Sequence, residues 1–132
     1  MEKRIRRIRS IKSELLKKSR EAALDAVEIF NNRNISFKSE SYIILMIISW
    51  TYLLHAYFRD KKIEYRHCQQ NGKRREFDRT KYGAYKHWEL ERCLRDAKSP
   101  IDKDTTNNLF FLIGLRHEIE HQMTTRIDDI LS

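Results

Sequence analysis

The feature that most limits what this chain can fold into is the stretch of residues 42–58, which is apolar on nearly every face of any helix it forms. It is shorter than a bilayer span and carries Ser49, Thr51 and His55, so it reads as a central helix enclosed by others, with no membrane partner. Trp50 and His55, polar-tipped groups in an apolar setting, are expected to be satisfied members of the core. A buried helix needs neighbours, and 3 Gly and 1 Pro in 132 residues leave too few turn formers for a sandwich or barrel. The expected fold class is all-α, in a single domain spanning residues 1–132.

The neighbours are legible from periodicity. Over residues 13–31, Leu15, Leu16, Ala22, Ala23, Ala26, Val27 and Phe30 recur at three- and four-residue intervals, which predicts an amphipathic helix ended by Asn31, Asn32 and Asn34. Residues 1–9 form a basic arm that either continues this helix or stays mobile. Ser36 or Ser39 caps the central helix, which runs to Asp60. Residues 61–81 lose helical periodicity, and Asn71-Gly72 favours a two-residue turn, so a short basic hairpin or loop is expected there. A third helix is predicted over 82–97, closed by Ser99-Pro100. The last runs from a cap at Asp104 or Thr105 to residue 131, making four main helices without an internal repeat.

Charge is unevenly spread. The net +8 divides into +7 over residues 1–20, +6 over residues 61–86 and −5 elsewhere. Arg66, Lys73, Arg74, Arg75, Arg79 and Lys81, with Tyr65, Phe77 and Tyr82 among them, are candidate RNA-binding residues through phosphate contact and stacking. Lys3, Arg4, Arg6, Arg7 and Arg9 offer the same from the arm, and a solvated surface explains either zone equally well. Cys68 and Cys93 are too few for a disulfide framework or a thiolate zinc site, and no signal sequence is recognised before the first helix, so the expected location is cytoplasmic.

Chemistry concentrates in the last helix. With Ile119 set at zero on an ideal wheel, Leu112, Leu115, Met123, Ile127 and Ile130 fall within about 80° of it, and Arg116 falls inside that stripe. His117 and His121 share the opposite face. A cation on an apolar seam is costly unless it meets an acid, a phosphate or a partner subunit.

Two motifs overlap here. Arg116 and His121 form Arg-x-x-x-x-His with the polar His117 after the Arg, and in this the segment resembles the HEPN superfamily, whose last long helix carries such a motif. From Leu15, Leu16, Lys17, Lys18, Ser19 and Arg20 through the Trp50 helix to Leu115-Arg116, the chain also looks like an uncharacterised bacterial helical family placed near HEPN domains. The resemblance implies a HEPN-like bundle and metal-independent RNA cleavage without a cofactor, in which the ribose 2′-hydroxyl attacks the adjacent phosphate. His121 would move the proton and Arg116 would hold the phosphate, with His117, Glu118 and Glu120 in support. It also implies a homodimer, and a bacterial toxin or phage-defence setting with an antitoxin or regulatory domain. At i and i+5 the two side chains point about 140° apart and stand roughly 7.5 Å apart along the axis. Either the helix is distorted near Gly114 and Arg116, or a two-fold dimer brings two motifs into one cleft; the dimer is the favoured expectation.

The second motif, His117-Glu118-x-x-His121, fits a zinc hydrolase in which histidines at i and i+4 chelate the ion and Glu118 activates water. Only Asp128 and Asp129 follow as acids, and strands to hold an extended substrate are missing from the pattern. The third reading is a solvated helix face on a non-catalytic helical dimerisation or RNA-binding module.

Overall fold

Helix α1 (Glu2–Asn31) and helix α2 (Lys38–Asp60) form an antiparallel hairpin in the computed structural model, which describes the backbone of residues 2–34 and 38–131 and the side chains of residues 11–34 and 38–122. Contacts run from Phe30 against Tyr42 near the connection, through Ser19 and Ser49, to an ion pair between Lys12 and Asp60 at the far end. Small residues set the spacing: among the described residues of α1, Ser19, Ala22 and Ala26 are the buried positions, whereas Val27 and Phe30, expected on its inner face, are exposed. Ser19 Oγ donates to the Ser49 carbonyl and Ser49 Oγ to that of Ser19, each at 2.7 Å, which fastens the two backbones at close approach. The arm is helical from Glu2, so it continues α1; its side chains, like the proposed cap Ser36, lie outside the described residues. Ser39 sits inside α2.

By length and composition α2 passes for a membrane span, a test that core helices also pass. Its Ile43, Ile47, Leu54 and Phe58 belong to a core shared with Tyr65, Trp88, Leu90, Cys93, Leu94 and Leu109. The three polar residues of the apolar run are all satisfied: Ser49 as above, Thr51 by the Ile47 carbonyl, and His55 by the Trp88 carbonyl at 2.7 Å. Burial holds the His55 imidazole below its ordinary range, against the opposing hydrogen bond to Trp88. The Cys93 thiol, desolvated in the same core, is pushed up to about 12.

The fold is mostly helical but not purely so, which corrects the all-α expectation. Strands β1 (Cys68–Asn71) and β2 (Arg74–Phe77) pair antiparallel, and Asn71 faces Arg74, so the turn residues are Gly72 and Lys73, one position beyond the expected Asn71-Gly72. Gly72 alone supplies the positive φ, at 64°, that a turn with Gly at its first central position demands. The third helix predicted over 82–97 is instead helix α3 (Leu90–Arg95), only six residues long. Gly83, at φ 90°, reverses the chain, and the residues after it hydrogen-bond as an extended leg: Lys86 N to Asp78 O, His67 N to Lys86 O, and Trp88 N to Tyr65 O. Tyr85 and His87 alternate along this leg, packing on Phe77 and Tyr65, so aromatic β-pairing displaces the weak helical pattern. Helix α4 (Lys103–Leu131) is capped by Asp102, whose Oδ2 accepts from Thr105 N at 3.0 Å, in place of the expected Asp104 or Thr105.

Candidate active-site groove and basic surface

Helix α4 lies against α2 and α3 through Leu109, with Leu112, Ile113, Leu115 and Ile119 half-buried beside the core. Met123, Ile127 and Ile130, the remaining members of the expected stripe, lie outside the described side chains, as do Asp128 and Asp129. Arg116 does not sink into the seam: it is exposed at its edge, where a guanidinium keeps its hydration while its stem covers apolar surface. It makes no hydrogen bond or ion pair with another described residue. The helix passes through Gly114 and Arg116 without a break, so the distortion that would bring Arg116 and His121 together is not there.

Two cavities meet at Arg116. One, about 290 Å³ and largely apolar, is bounded by Ile43 and Ile44 of α2 and Ile119 of α4, with Glu40, Arg116 and Glu120 at its rim. The other, about 620 Å³, lies between α4 and α3 and gathers Arg116, His117 and Glu120 with His67, Glu89, Arg92 and Arg95. His121 lines neither. It is exposed on the outer side of α4, its ring 6.4 Å from that of His117 and nearly parallel to it. Glu118 is exposed as well and accepts from Gln122 Nε2 at 3.1 Å. Of the five α4 candidates, then, Arg116, His117 and Glu120 share a groove, while Glu118 and His121 stand outside it. Among the described residues no group of three or more His, Cys, Asp or Glu side chains is placed to hold a metal ion, so a third ligand for the His117 and His121 pair is not among them.

Four groove residues escaped sequence reasoning. His67 Nε2 lies 3.2 Å from Glu89 Oε1, a pairing across 22 positions that no spacing motif encodes. Arg92 pairs with Asp96 and stacks 3.9 Å from the Trp88 ring; Arg95 pairs with Glu91 and lies over Phe110. Both ion pairs are at i and i+4, a signal that was present in the sequence.

The basic zone of residues 61–86 is a platform built on the β1–β2 hairpin and held by contacts among its own side chains. Arg66 is half-buried, donates to both oxygens of Glu64 at 2.7 and 2.9 Å, and sits 3.9 Å from the Phe77 ring and 4.5 Å from that of Tyr85. The Glu64 carboxyl is held low chiefly by that hydrogen-bonded guanidinium. Arg79 reaches the Gly83 carbonyl and the Tyr85 hydroxyl, while Lys73, Arg74, Arg75 and Lys81 are exposed. Of the three proposed stacking residues, Tyr65 is buried in the core and Phe77 lies under Arg66, so neither is open to a base; Tyr82, 91% exposed, is. A cavity of about 510 Å³ shares Lys62, Arg66 and Arg75 with a further cavity at the C-terminal end of α2, and shares His67 and Arg92 with the α4 groove. The three cavities therefore adjoin one another from the platform to Arg116, although the Arg92 and Arg95 guanidinium groups on the way are already paired with Asp96 and Glu91.

Comparison with curated proteins and with solved structures finds no match for this chain. Residues 14–132 match a family described as a domain of unknown function, DUF3644, and the chain belongs to that family.

Proposed function

We propose that this protein is a metal-independent endoribonuclease of the HEPN type, cleaving RNA by attack of a ribose 2′-hydroxyl on the adjacent phosphate. The observation that carries the reading is Arg116: a guanidinium without a described ion-pair partner, opening beside His117 into a groove that adjoins the cavity of the basic zone. A planar fork of this kind matches phosphate oxygens and stabilises the charge that develops on them. The 2′-hydroxyl is the nucleophile, so DNA is not a substrate.

Within one chain the imidazoles that line this fork's groove are His117, on the same helix, and His67, which is paired with Glu89; His121 is not among them. His121 takes the general acid or base role only if a second copy presents it, which is the reason to propose a homodimer. The apolar cavity at Ile44 and Ile119, next to Arg116, supports a contact there. By analogy with HEPN domains, the setting is a bacterial toxin or phage-defence module in the cytoplasm, restrained by an antitoxin or regulatory domain.

The second reading, a non-catalytic RNA-binding and dimerisation module, is favoured by the separation of His121 from Arg116. A zinc hydrolase at His117-Glu118-x-x-His121 is third. Incubating the chain with RNA in EDTA separates them, comparing the parent with Arg116→Ala, His117→Ala and His121→Ala. Cleavage that persists in EDTA and disappears in Arg116→Ala and His121→Ala supports the nuclease with a shared site. Loss only in Arg116→Ala and His117→Ala moves the proton-transfer role to His117. Abolition by EDTA favours zinc, and binding without cleavage favours the module.

A further inference from the structure

We propose that the cavity at the C-terminal end of α2, about 640 Å³, is a phosphate-binding pocket distinct from the α4 groove, built by Arg59, Lys62, Arg66 and Arg75 around Tyr65 and His87. Four cations face one acid, Glu64, and both oxygens of that acid are already engaged by Arg66, so the cavity keeps a net positive charge.

Three further features point to an oxyanion. Arg59 Nη1 donates to Tyr65 Oη at 3.4 Å, but its Nε is buried without an acceptor among the described residues. A guanidinium N–H removed from water is best matched by an anionic oxygen. Lys62 occupies the left-handed position after α2, at φ 59°, with Ile63 N bonded to Phe58 O and Lys62 N to Arg59 O. Glycine is the residue suited to that position. A lysine there accepts backbone strain and sets a charge at the cavity mouth. Arg66, clamped by Glu64 and two rings, is fixed before any ligand arrives, which reduces the entropy lost on binding.

The pocket reads charge rather than a nucleobase, because the Tyr85 ring already carries Arg66 and Arg79 against it. His87 completes it. Its imidazole is held below the ordinary range by desolvation first, then by Arg66, with Glu64 opposing and Arg59 adding; the tilted rings of His55 and Tyr65 pack beside it. A bound phosphate raises that basicity. Phosphate binding here stands independently of the nuclease reading; only the role of the pocket as an anchor for a strand led to Arg116 rests on it.

The test uses the whole chain, titrated with inorganic pyrophosphate while the His87 ring resonances are followed by NMR. The expected result is saturable binding, an upward shift of the His87 midpoint, and a loss of about tenfold or more in affinity in Arg75→Ala and in Lys62→Gly. Lys17→Ala, on the exposed face of α1, leaves binding unchanged. Lys62→Gly should fold at least as well as the parent, so its loss of affinity is not a folding defect, and Arg59→Lys, which keeps charge but not Nε, separates the hydrogen bond from the field. Binding that is unsaturable, or equal in parent, Arg75→Ala and Lys62→Gly, overturns the pocket. Competition by an oligoribonucleotide with a 5′-phosphate and by its 5′-hydroxyl twin assigns the source. Stronger competition by the first identifies a strand end, and equal competition an internal phosphate. Failure of both with pyrophosphate bound identifies a free phosphate ligand, and RNA cleavage by Arg75→Ala and Lys62→Gly is scored separately.

Discussion

Acidification from pH 7.5 to 5.5 should destabilise the fold, chiefly through one side chain, His55. It is only 7% exposed, its Nε2 is 2.7 Å from the Trp88 carbonyl, and Tyr65 and His87 pack on its ring. A carbonyl accepts, so the neutral imidazole donates from Nε2, and protonation adds a buried charge on Nδ1. Desolvation therefore lowers the folded pKa below the unfolded value of 6.5. The stabilisation from keeping His55 neutral is fully present above pH 6.5 and declines as pH falls, because the unfolded chain takes up the proton first. The limiting slope for one proton is about 1.4 kcal/mol per pH unit, so one unit below the unfolded pKa the loss approaches about 1.4 kcal/mol. Urea denaturation at pH 7.5, 6.5 and 5.5 measures it, and this window stays clear of the carboxylates Asp60, Glu64 and Asp102, whose pKa values are lowered. His55→Gln, which keeps a donor for the carbonyl, should remove most of the slope, and His87→Asn a smaller part, since that ring is more exposed. An identical pH dependence in parent and His55→Gln refutes the reasoning.

Three other outcomes follow from the same geometry. Lys62→Gly should raise stability by about 0.5–1 kcal/mol in urea melts, because glycine enters the left-handed position without the side-chain clash. Ser49→Ala should cost about 1 kcal/mol by removing one of the two reciprocal hydroxyl-to-carbonyl bonds, and Ser19→Ala after it should cost less than additively, read by a double-mutant cycle. RNA affinity should fall steeply with added salt, with a log-log slope of about −0.7 per phosphate contacted. Arg75→Ala should flatten that slope by roughly one contact, as measured by fluorescence anisotropy at several salt concentrations.

The helices were legible where one face is apolar and long. Residues 13–31 and 42–58 carry enough periodic or continuous apolar surface to specify α1 and α2 from local pattern alone. The third helix failed because Tyr85 and His87 are held by Phe77 and Tyr65, contacts made across the chain that no local window contains. The same cause hid half of the groove. His67 and Glu89 meet only because the extended leg carries residues 86–88 back beside 65–67. Arg116 was conspicuous on an ideal wheel, yet the wheel could not show that it stops at the rim, since depth depends on how far α2 and α4 stand apart. The pocket at Arg59 and Lys62 was invisible for a further reason: its cations come from a helix end, a capping position and two β segments, and only Arg66 and Arg75 drew notice as part of a charged run.

Gly114 offers the sharpest test of where a second copy would sit. On the α4 wheel it lies about 20° from His121 and about 60° from Phe111, which is 70% exposed, while Arg116 points about 160° away. A Cβ added at Gly114 meets nothing within 4 Å in the single chain. Gly114→Ala should therefore stabilise α4 by about 0.5–1 kcal/mol, raising Tm by about 2–5 °C in dilute solution. Sedimentation at rising concentration supplies the second reading. If the partner's His121 is delivered to the Arg116 groove, the Phe111, Gly114 and His121 face takes part in the contact, and the added methyl weakens self-association while it stabilises the chain. A more stable variant that associates as the parent does would place the contact elsewhere, leave His121 out of the site, and transfer the proton-moving role to His117, already in the groove with Arg116.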